Sequence, residues 1–154
     1  MTESQQPMPI EPKRPSALRP VIFIAVVFGA VLALTAVSKW MTPAELVPWR
    51  GDLSAAQTES RASNKPILLY FTAEWCGPCQ EMRRRVWSDA AVAEATKSVI
   101  PVRLDVDREP KLAQQYRVDA MPTFLMLSPG GEVSRTHVGA MEAQEFINWL
   151  SRGS

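Results

Sequence analysis

Histidine and cysteine are scarce in this chain. Its 154 residues include one histidine and two cysteines. A zinc site draws three or four ligands from the protein, and the chain has too few for the usual Cys/His type. The cysteines stand three residues apart, and so short a loop removes little entropy from the unfolded chain. We therefore expect no metal and no cofactor. The alternative roles for the cysteine pair are half of a zinc site and a static structural disulfide.

An excess of charge of either sign is also missing. The chain has 17 basic and 16 acidic residues, and no basic stripe offers nucleic acid a counterion-release term. We expect no nucleic-acid partner. Three consecutive arginines at residues 83–85 would cover most of a helix circumference, so we interpret them as a solvated face. A partner-docking patch is the alternative.

The first 20 residues have little apolar surface and contain five prolines but no aromatic residue. Such a segment buries too little to offset the entropy of folding. Residues 1–20 are therefore predicted to be a disordered tail.

Residues 21–37 form an apolar run of 17 residues without a charge. As a helix the run spans about 25 Å, which is short of a hydrocarbon core of about 30 Å. Lys39 and Trp40 extend it, because both side chains suit the membrane interface. We predict one transmembrane helix over residues 21–38. A cleaved signal peptide, cut near residues 36–38, is the stronger alternative. A buried core helix is the weaker one.

Positive charge is biased toward one end of this run. Lys13, Arg14 and Arg19 precede it, and Lys39 follows it closely. The positive-inside rule then places the tail in the cytoplasm and the rest of the chain outside it. In a bacterium this predicts a single-pass inner-membrane protein with its folded domain in the periplasm, where disulfides persist.

The remaining chain is predicted to be a linker over residues 39–48 and one domain over 49–154. Its periodicity predicts a helix capped by Asp52 or Ser54, a helix that opens at the cysteines, and a turn capped by Ser88 or Asp89. Strands are predicted at residues 66–71, 99–106, 123–127 and 132–138, and further helices at 110–116 and 141–150. This order predicts an α/β fold with a mixed central sheet and helices on both faces.

The cysteines lie in the motif Trp75-Cys76-Gly77-Pro78-Cys79. A strand end followed by a helix start places Cys76 at the positive end of the helix dipole, which lowers the pKa of a thiol. Pro78 suits the first turn of a helix. Cys79 lies on the same side of the helix, within reach of Cys76. We expect Cys79 to be more buried and to resolve mixed disulfides.

Residues 71–79 resemble the active-site segment of thioredoxins, and residues 75–79 are identical to the family signature. The sequence AMPTF at 120–124 is similar to the cis-proline loop of that family, and residues 130–133 and 138–139 resemble its terminal hairpin. The segments at 64–66 and 86–92 are similar to periplasmic thioredoxin-like proteins and to the C-terminal domain of DsbD-type thiol reductases. The resemblance covers about residues 49–150 and implies a thioredoxin fold.

The resemblance also implies a set of site residues. Cys76 and Cys79 would be catalytic, and Pro122 would be cis and face their disulfide. Met121 would offer backbone groups to a substrate strand. The active site would be supported by five further residues, Trp75, Gly77, Pro78, Tyr70 and Arg103.

Three positions depart from the family pattern. Tyr70 stands where thioredoxins have a buried aspartate, and a phenol is a poor base at neutral pH. Proton handling at the resolving cysteine would then rely on water, Glu74 or another group. Arg103 replaces a lysine, and Thr72 replaces a large aromatic residue. His137, the single histidine, is interpreted as a surface strand residue.

These features predict a thiol:disulfide oxidoreductase, a protein-disulfide reductase that acts on client proteins with disulfides or thiols. A membrane thiol-electron donor would supply it. The alternatives are a disulfide oxidase or isomerase and a non-catalytic client-binding module in the membrane. A dedicated reductase for cytochrome c maturation is less favoured, because residues 80–121 leave little space for the insertion typical of that group.

Overall fold

A computed structural model describes residues 18–40 and 43–152. The chain divides into two compact units, Met1–Thr42 and Pro43–Ser154, and each is described by itself. Most of the predicted disordered tail lies outside the described residues.

The described part of the first unit is a helix, α1 (Leu18–Trp40). It covers the predicted membrane segment and begins three residues earlier, with Pro20 in its first turn. Its apolar side chains are exposed wherever they are described, and Phe23 and Leu34 are examples. Within residues 18–40 and 43–152, no helix combines the length and the apolarity that crossing a membrane requires.

The second unit is built on a sheet of four strands, β1 (Ile67–Thr72), β2 (Ile100–Asp105), β3 (Thr123–Leu127) and β4 (Val133–Val138). Their order across the sheet is β2-β1-β3-β4. β1 pairs in parallel with β2 and antiparallel with β3, and β3 pairs antiparallel with β4. Every residue of β1 is buried, as expected of a central strand covered on both faces. The predicted mixed sheet is confirmed.

The helices of this unit are α2 (Leu53–Ser63), α3 (Gly77–Arg85), α4 (Ala90–Ala95), α5 (Pro110–Gln115) and α6 (Ala143–Ser151), with a 3-10 turn at Thr96–Ser98. Asp52 caps α2 by accepting from the Ala55 N–H, and Asp89 caps α4 in the same way. Asn64 ends α2 with φ at 55°, a conformation that asparagine tolerates. The capping residues predicted from the sequence are therefore among those used.

Alternating strand residues point to opposite faces of the sheet, and each face carries its own apolar cluster. One cluster contains Leu68, Tyr70 and Phe124 together with both cysteines and residues of α6. The other contains Leu69 and Phe71 with residues of α2 and β2. The sheet is therefore covered on both faces, as predicted.

Residues 43–50, mostly predicted to be linker, instead pack along the folded unit. We call them the N-terminal strap. The Leu46 N–H donates to the Trp87 carbonyl at 2.7 Å, and the Arg50 N–H donates to the Pro101 carbonyl at 3.0 Å. Val47 is only 5% exposed. The strap is thus part of the fold, held by backbone pairing that no local sequence pattern indicates.

The last helix differs slightly from its prediction. α6 begins at Ala143 rather than at residue 141, and Met141 is buried just ahead of it. Phe146 and Leu150 are core residues, whereas Trp149 is only partly buried against them.

Candidate redox site

The cysteine motif occupies the junction between β1 and α3. Cys76 is the N-cap residue of α3, and its Sγ accepts a hydrogen bond from the Cys79 N–H at 3.2 Å. Pro78 lies in the first turn, where a missing N–H has no partner to lose. The sequence thus places a sulfur atom against the free amides of a helix N-terminus, which favours a thiolate there once the disulfide is reduced.

Cys76 and Cys79 are joined by a disulfide, with their Cα atoms 5.3 Å apart. Their exposed fractions are nearly equal, 4% and 3%. In this oxidised state Cys79 is only slightly the more buried of the two, because the bond holds both sulfur atoms together against the core.

Trp75 is 65% exposed beside this disulfide. Its Nε1 donates a hydrogen bond to Asp107 Oδ2 at 2.9 Å. Asp107 was not singled out from the sequence. It follows β2 at the same edge of the sheet where β1 ends, because the two strands are parallel. That shared edge is the signal that could have identified it.

The loop before β3 forms another part of the site. The Met121–Pro122 peptide bond is cis, as the resemblance implied. Met121 is partly buried against the cluster that contains both cysteines. The Gly139 N–H donates to the Pro122 carbonyl at 2.8 Å and fixes the end of β4 beside this loop. The catalytic and substrate-binding roles of these residues stay predictions.

Tyr70 is buried in the same cluster as the two cysteines. Its ring stacks on Phe124 with centroids 5.0 Å apart and lies 5.2 Å from Trp49 and from Trp87. Burial raises the pKa of its hydroxyl, and weaker opposing effects come from Thr72, Trp87 and two nearby guanidinium groups. Trp87 Nε1 approaches the hydroxyl but makes no hydrogen bond of normal geometry. Tyr70 is therefore a neutral phenol at physiological pH.

Arg103 is held by a carboxylate from the strap. Glu45 accepts from Arg103 Nη1 at 2.6 Å and lies 3.0 Å from Arg83 Nε. The Arg103 guanidinium also lies 6.0 Å from the Trp49 ring centroid. Glu45 is a second residue that sequence reasoning missed, because it fell in the predicted linker.

Trp49, Arg83 and Arg103 line a cavity of about 320 Å³ that also reaches Thr72 and Glu74. Glu74, a predicted candidate for proton handling, therefore lies at the cavity wall and on the exposed side of the motif.

The three arginines at 83–85 do not form one uniform face. Arg84 and Arg85 pair with Glu81 of the same helix, whereas Arg83 pairs with Glu45 of the strap. All three keep at least a third of their side-chain surface in solvent. His137 lies on β4, half-buried, with its ring 6.2 Å from Phe124 and 6.4 Å from Trp149.

A mixed sheet with a cysteine pair at the start of a helix and a cis-proline just before β3 defines a thioredoxin-like protein. The family model described as "Thioredoxin" matches residues 53–152. The chain belongs to the thioredoxin family.

Curated and solved relatives agree with this membership. The chain is 37% identical over 94 residues to the protein named thioredoxin from Mycobacterium tuberculosis, covering 61% of this chain and 78% of that protein. It spans about half the length of several other curated thioredoxins that it matches.

Among solved structures, a thioredoxin from Thermus thermophilus is 29% identical with a TM-score of 0.61, over 69% of this chain and 85% of that one. The C-terminal domain of DsbD from Neisseria meningitidis, in its reduced form, is 24% identical to this chain with a TM-score of 0.59. The match covers 66% of this chain and 92% of that one. The DsbD likeness supports the fold alone.

Proposed function

We propose that this protein is a thiol:disulfide oxidoreductase that reduces disulfides in client proteins through Cys76 and Cys79. The observation that carries the proposal is the bonded cysteine pair at the N-terminus of α3, with Cys76 Sγ accepting a backbone N–H. A cysteine in this position has a depressed pKa when reduced, and the thiolate is the species that attacks a disulfide.

The reaction transfers two electrons from this protein to the client. The Cys76 thiolate attacks one sulfur of the client disulfide, forms a mixed disulfide and releases the other client sulfur as a thiolate, which takes up a proton. Cys79, after losing its proton, attacks the Cys76 sulfur. The Cys76–Cys79 disulfide closes, and the second client thiol leaves. The client gains two electrons, and this protein loses them.

The direction of exchange rests on the motif and on the named thioredoxins among the relatives. The Gly77-Pro78 dipeptide between the cysteines is the thioredoxin one, which favours a reductant. A disulfide oxidase or isomerase would use the same thiol–disulfide exchange with a different reduction potential of the cysteine pair. A client-binding module in which the cysteines only trap partners is a candidate of another class.

Equilibration of residues 43–152 with glutathione tests the direction. We expect a potential near about −270 mV, the range of thioredoxin, whereas a value near about −120 mV would mark an oxidant and contradict the proposal. The variant with serine at both cysteines tests the class. It should lose all reduction of insulin disulfides and all cellular function. A protein that keeps its cellular function without either sulfur would be a binder.

We further propose that the domain works outside the cytoplasm on a membrane anchor and receives electrons from a membrane thiol donor. The uncharged apolar run at residues 21–37 and the positive charge ahead of it support this location. The donor follows from the location, because each turnover leaves the protein oxidised and a new pair of electrons must be delivered across the membrane.

A further inference from the structure

A second concave surface lies beside the redox motif, between α3 and the start of α6. It has a volume of about 280 Å³ and is mainly apolar. One wall is formed by Pro78 and Met82 of α3 and by its C-cap residue Val86, which recur every four residues. Ala140 and Met141 form the other wall. We call this surface the Met141 groove.

The Met141 groove adjoins the cysteine motif through one wall and the cis-proline loop through the other. Pro78 belongs to the motif itself, two residues after Cys76. Ala140 directly follows Gly139, whose N–H is bonded to the carbonyl of the cis-proline Pro122. A polypeptide that contacts both the motif and this loop would therefore lie beside the groove.

The floor of the groove suits apolar side chains of various shapes. Met82, Val86 and Met141 are 2–3% exposed and line it from below. Methionine side chains are unbranched and polarizable, so they adjust to different partners.

The rim of the groove is acidic. Glu81, Glu142 and Glu145 line it, with Arg85 as the one cation among its lining residues. Arg85 pairs with Glu81 at 3.2 Å. Across residues 43–152, no lysine or arginine lies within ion-pair distance of Glu142 or Glu145. Two carboxylates thus face the groove without a cation from the domain itself.

We propose that the Met141 groove is a docking site for client proteins, which takes one apolar side chain of the client together with a neighbouring lysine or arginine. This inference rests on the proposed function, since the occupant is the polypeptide whose disulfide reacts. The groove removes the client's apolar side chain from water, and the two unpaired carboxylates select a basic neighbour by charge complementarity.

Peptides with a single disulfide loop test this assignment. Three peptides carry Leu-Lys, Leu-Glu or Ser-Lys within a few residues of the reacting cysteine. The second-order rate of reduction is measured for each at low salt. We expect the Leu-Lys peptide to react about threefold to tenfold faster than the other two, and molar salt to remove its advantage over Leu-Glu.

The variant E142Q/E145Q should lose the preference for Leu-Lys over Leu-Glu. The matched control is E94Q/E132Q, because both of these glutamates are exposed and neither lines the groove. The control should keep the preference. Reduction of glutathione disulfide, which has no such dipeptide, should be the same in all three proteins. Equal rates for the three peptides, or equal behaviour of the two double variants, would overturn the docking site.

Failure of the proposed function gives a different result. The protein would then reduce neither glutathione disulfide nor any peptide. Titration calorimetry with peptides that carry serine in place of cysteine still decides the docking site in that case. Tighter binding of the Leu-Lys peptide to the unmodified protein than to E142Q/E145Q supports it, and equal binding contradicts it.

Discussion

At the scale of single residues, Tyr70 sets this protein apart from the thioredoxin pattern. Its ring is stacked and enclosed by other aromatic rings in the cluster that holds the cysteines. Two guanidinium groups approach its hydroxyl, yet burial dominates and raises the pKa. A neutral phenol here gives no base for the resolving step, so the proton of Cys79 must leave by another route.

The raised pKa of Tyr70 predicts a loss of stability in alkali. In the unfolded chain the phenol ionises near its ordinary pKa of about 10, while the folded state keeps it neutral. The unfolded state then binds fewer protons, so stability falls above about pH 10, by at most about 1.4 kcal/mol for each pH unit. Tyr70→Phe should remove this loss, which is measured as the difference in unfolding free energy between pH 8 and pH 11.

Tyr116→Phe is the control for this change. Tyr116 is the second of the chain's two tyrosines, and burial raises its pKa as well, but it is less enclosed. We expect a smaller alkaline effect for Tyr116→Phe than for Tyr70→Phe. At pH 7, Tyr70→Phe should cost about 1 kcal/mol or less. Parallel pH curves for the unmodified protein and Tyr70→Phe would show that the phenol is not held neutral.

The two cysteines should also differ once they are reduced. Cys76 caps α3, so its thiolate is stabilised by the amide of Cys79 and by the helix dipole. We expect Cys76 to be alkylated near neutral pH well before Cys79, as read by mass spectrometry. Cys79→Ser should accumulate mixed disulfides with clients, whereas Cys76→Ser should trap none. Equal alkylation rates at the two thiols would contradict this assignment.

At the scale of elements, the N-terminal strap closes one side of the site. Its Trp49 ring packs on Tyr70 and Trp87, and its Glu45 holds the two guanidinium groups that approach the phenol. The family match begins only at residue 53. The strap therefore lies outside the matched region, yet it shapes the surroundings of the most unusual core residue.

Neighbouring strap residues give a matched test of this packing. Val47 is 5% exposed and Leu46 is 49% exposed. Val47→Ala should lower the free energy of unfolding by about 1.5 kcal/mol or more, because buried methyl groups are lost. Leu46→Ala should change it by no more than about 0.5 kcal/mol. Urea denaturation measures both, and similar values would mean that the strap does not pack in solution.

Elements with a local signal were predictable from the sequence. The buried run of β1, the Asp52 and Asp89 caps and the cysteine motif each carry their information within a few residues, because capping and strand burial are local. The partners Glu45 and Asp107 were not predictable in this way. Glu45 contacts Arg103 because the strap packs along the fold. Asp107 contacts Trp75 because the parallel pairing of β1 and β2 brings the ends of the two strands together.

At the scale of the whole molecule, the two compact units differ in the burial of their apolar side chains. The unit from Pro43 onward has a buried core on each face of its sheet and the redox pair at one edge. The helix α1 has apolar side chains directed to solvent on every described turn. The charge around residues 21–37 is the feature that supports the membrane location proposed above.

The location proposal predicts the behaviour of the full chain in a bacterial host. A reporter that is active only outside the cytoplasm, fused after the last residue, should be active, because three basic residues ahead of the run hold its start inside. The fusion should stay in the membrane fraction after an alkaline wash. The same reporter on a chain that starts at Pro43 is the control, and it should be inactive and released. An inactive full-length fusion would refute the orientation. An active product that begins near Lys39 would instead show a cleaved signal peptide, leaving a periplasmic reductase that must meet its electron donor by diffusion.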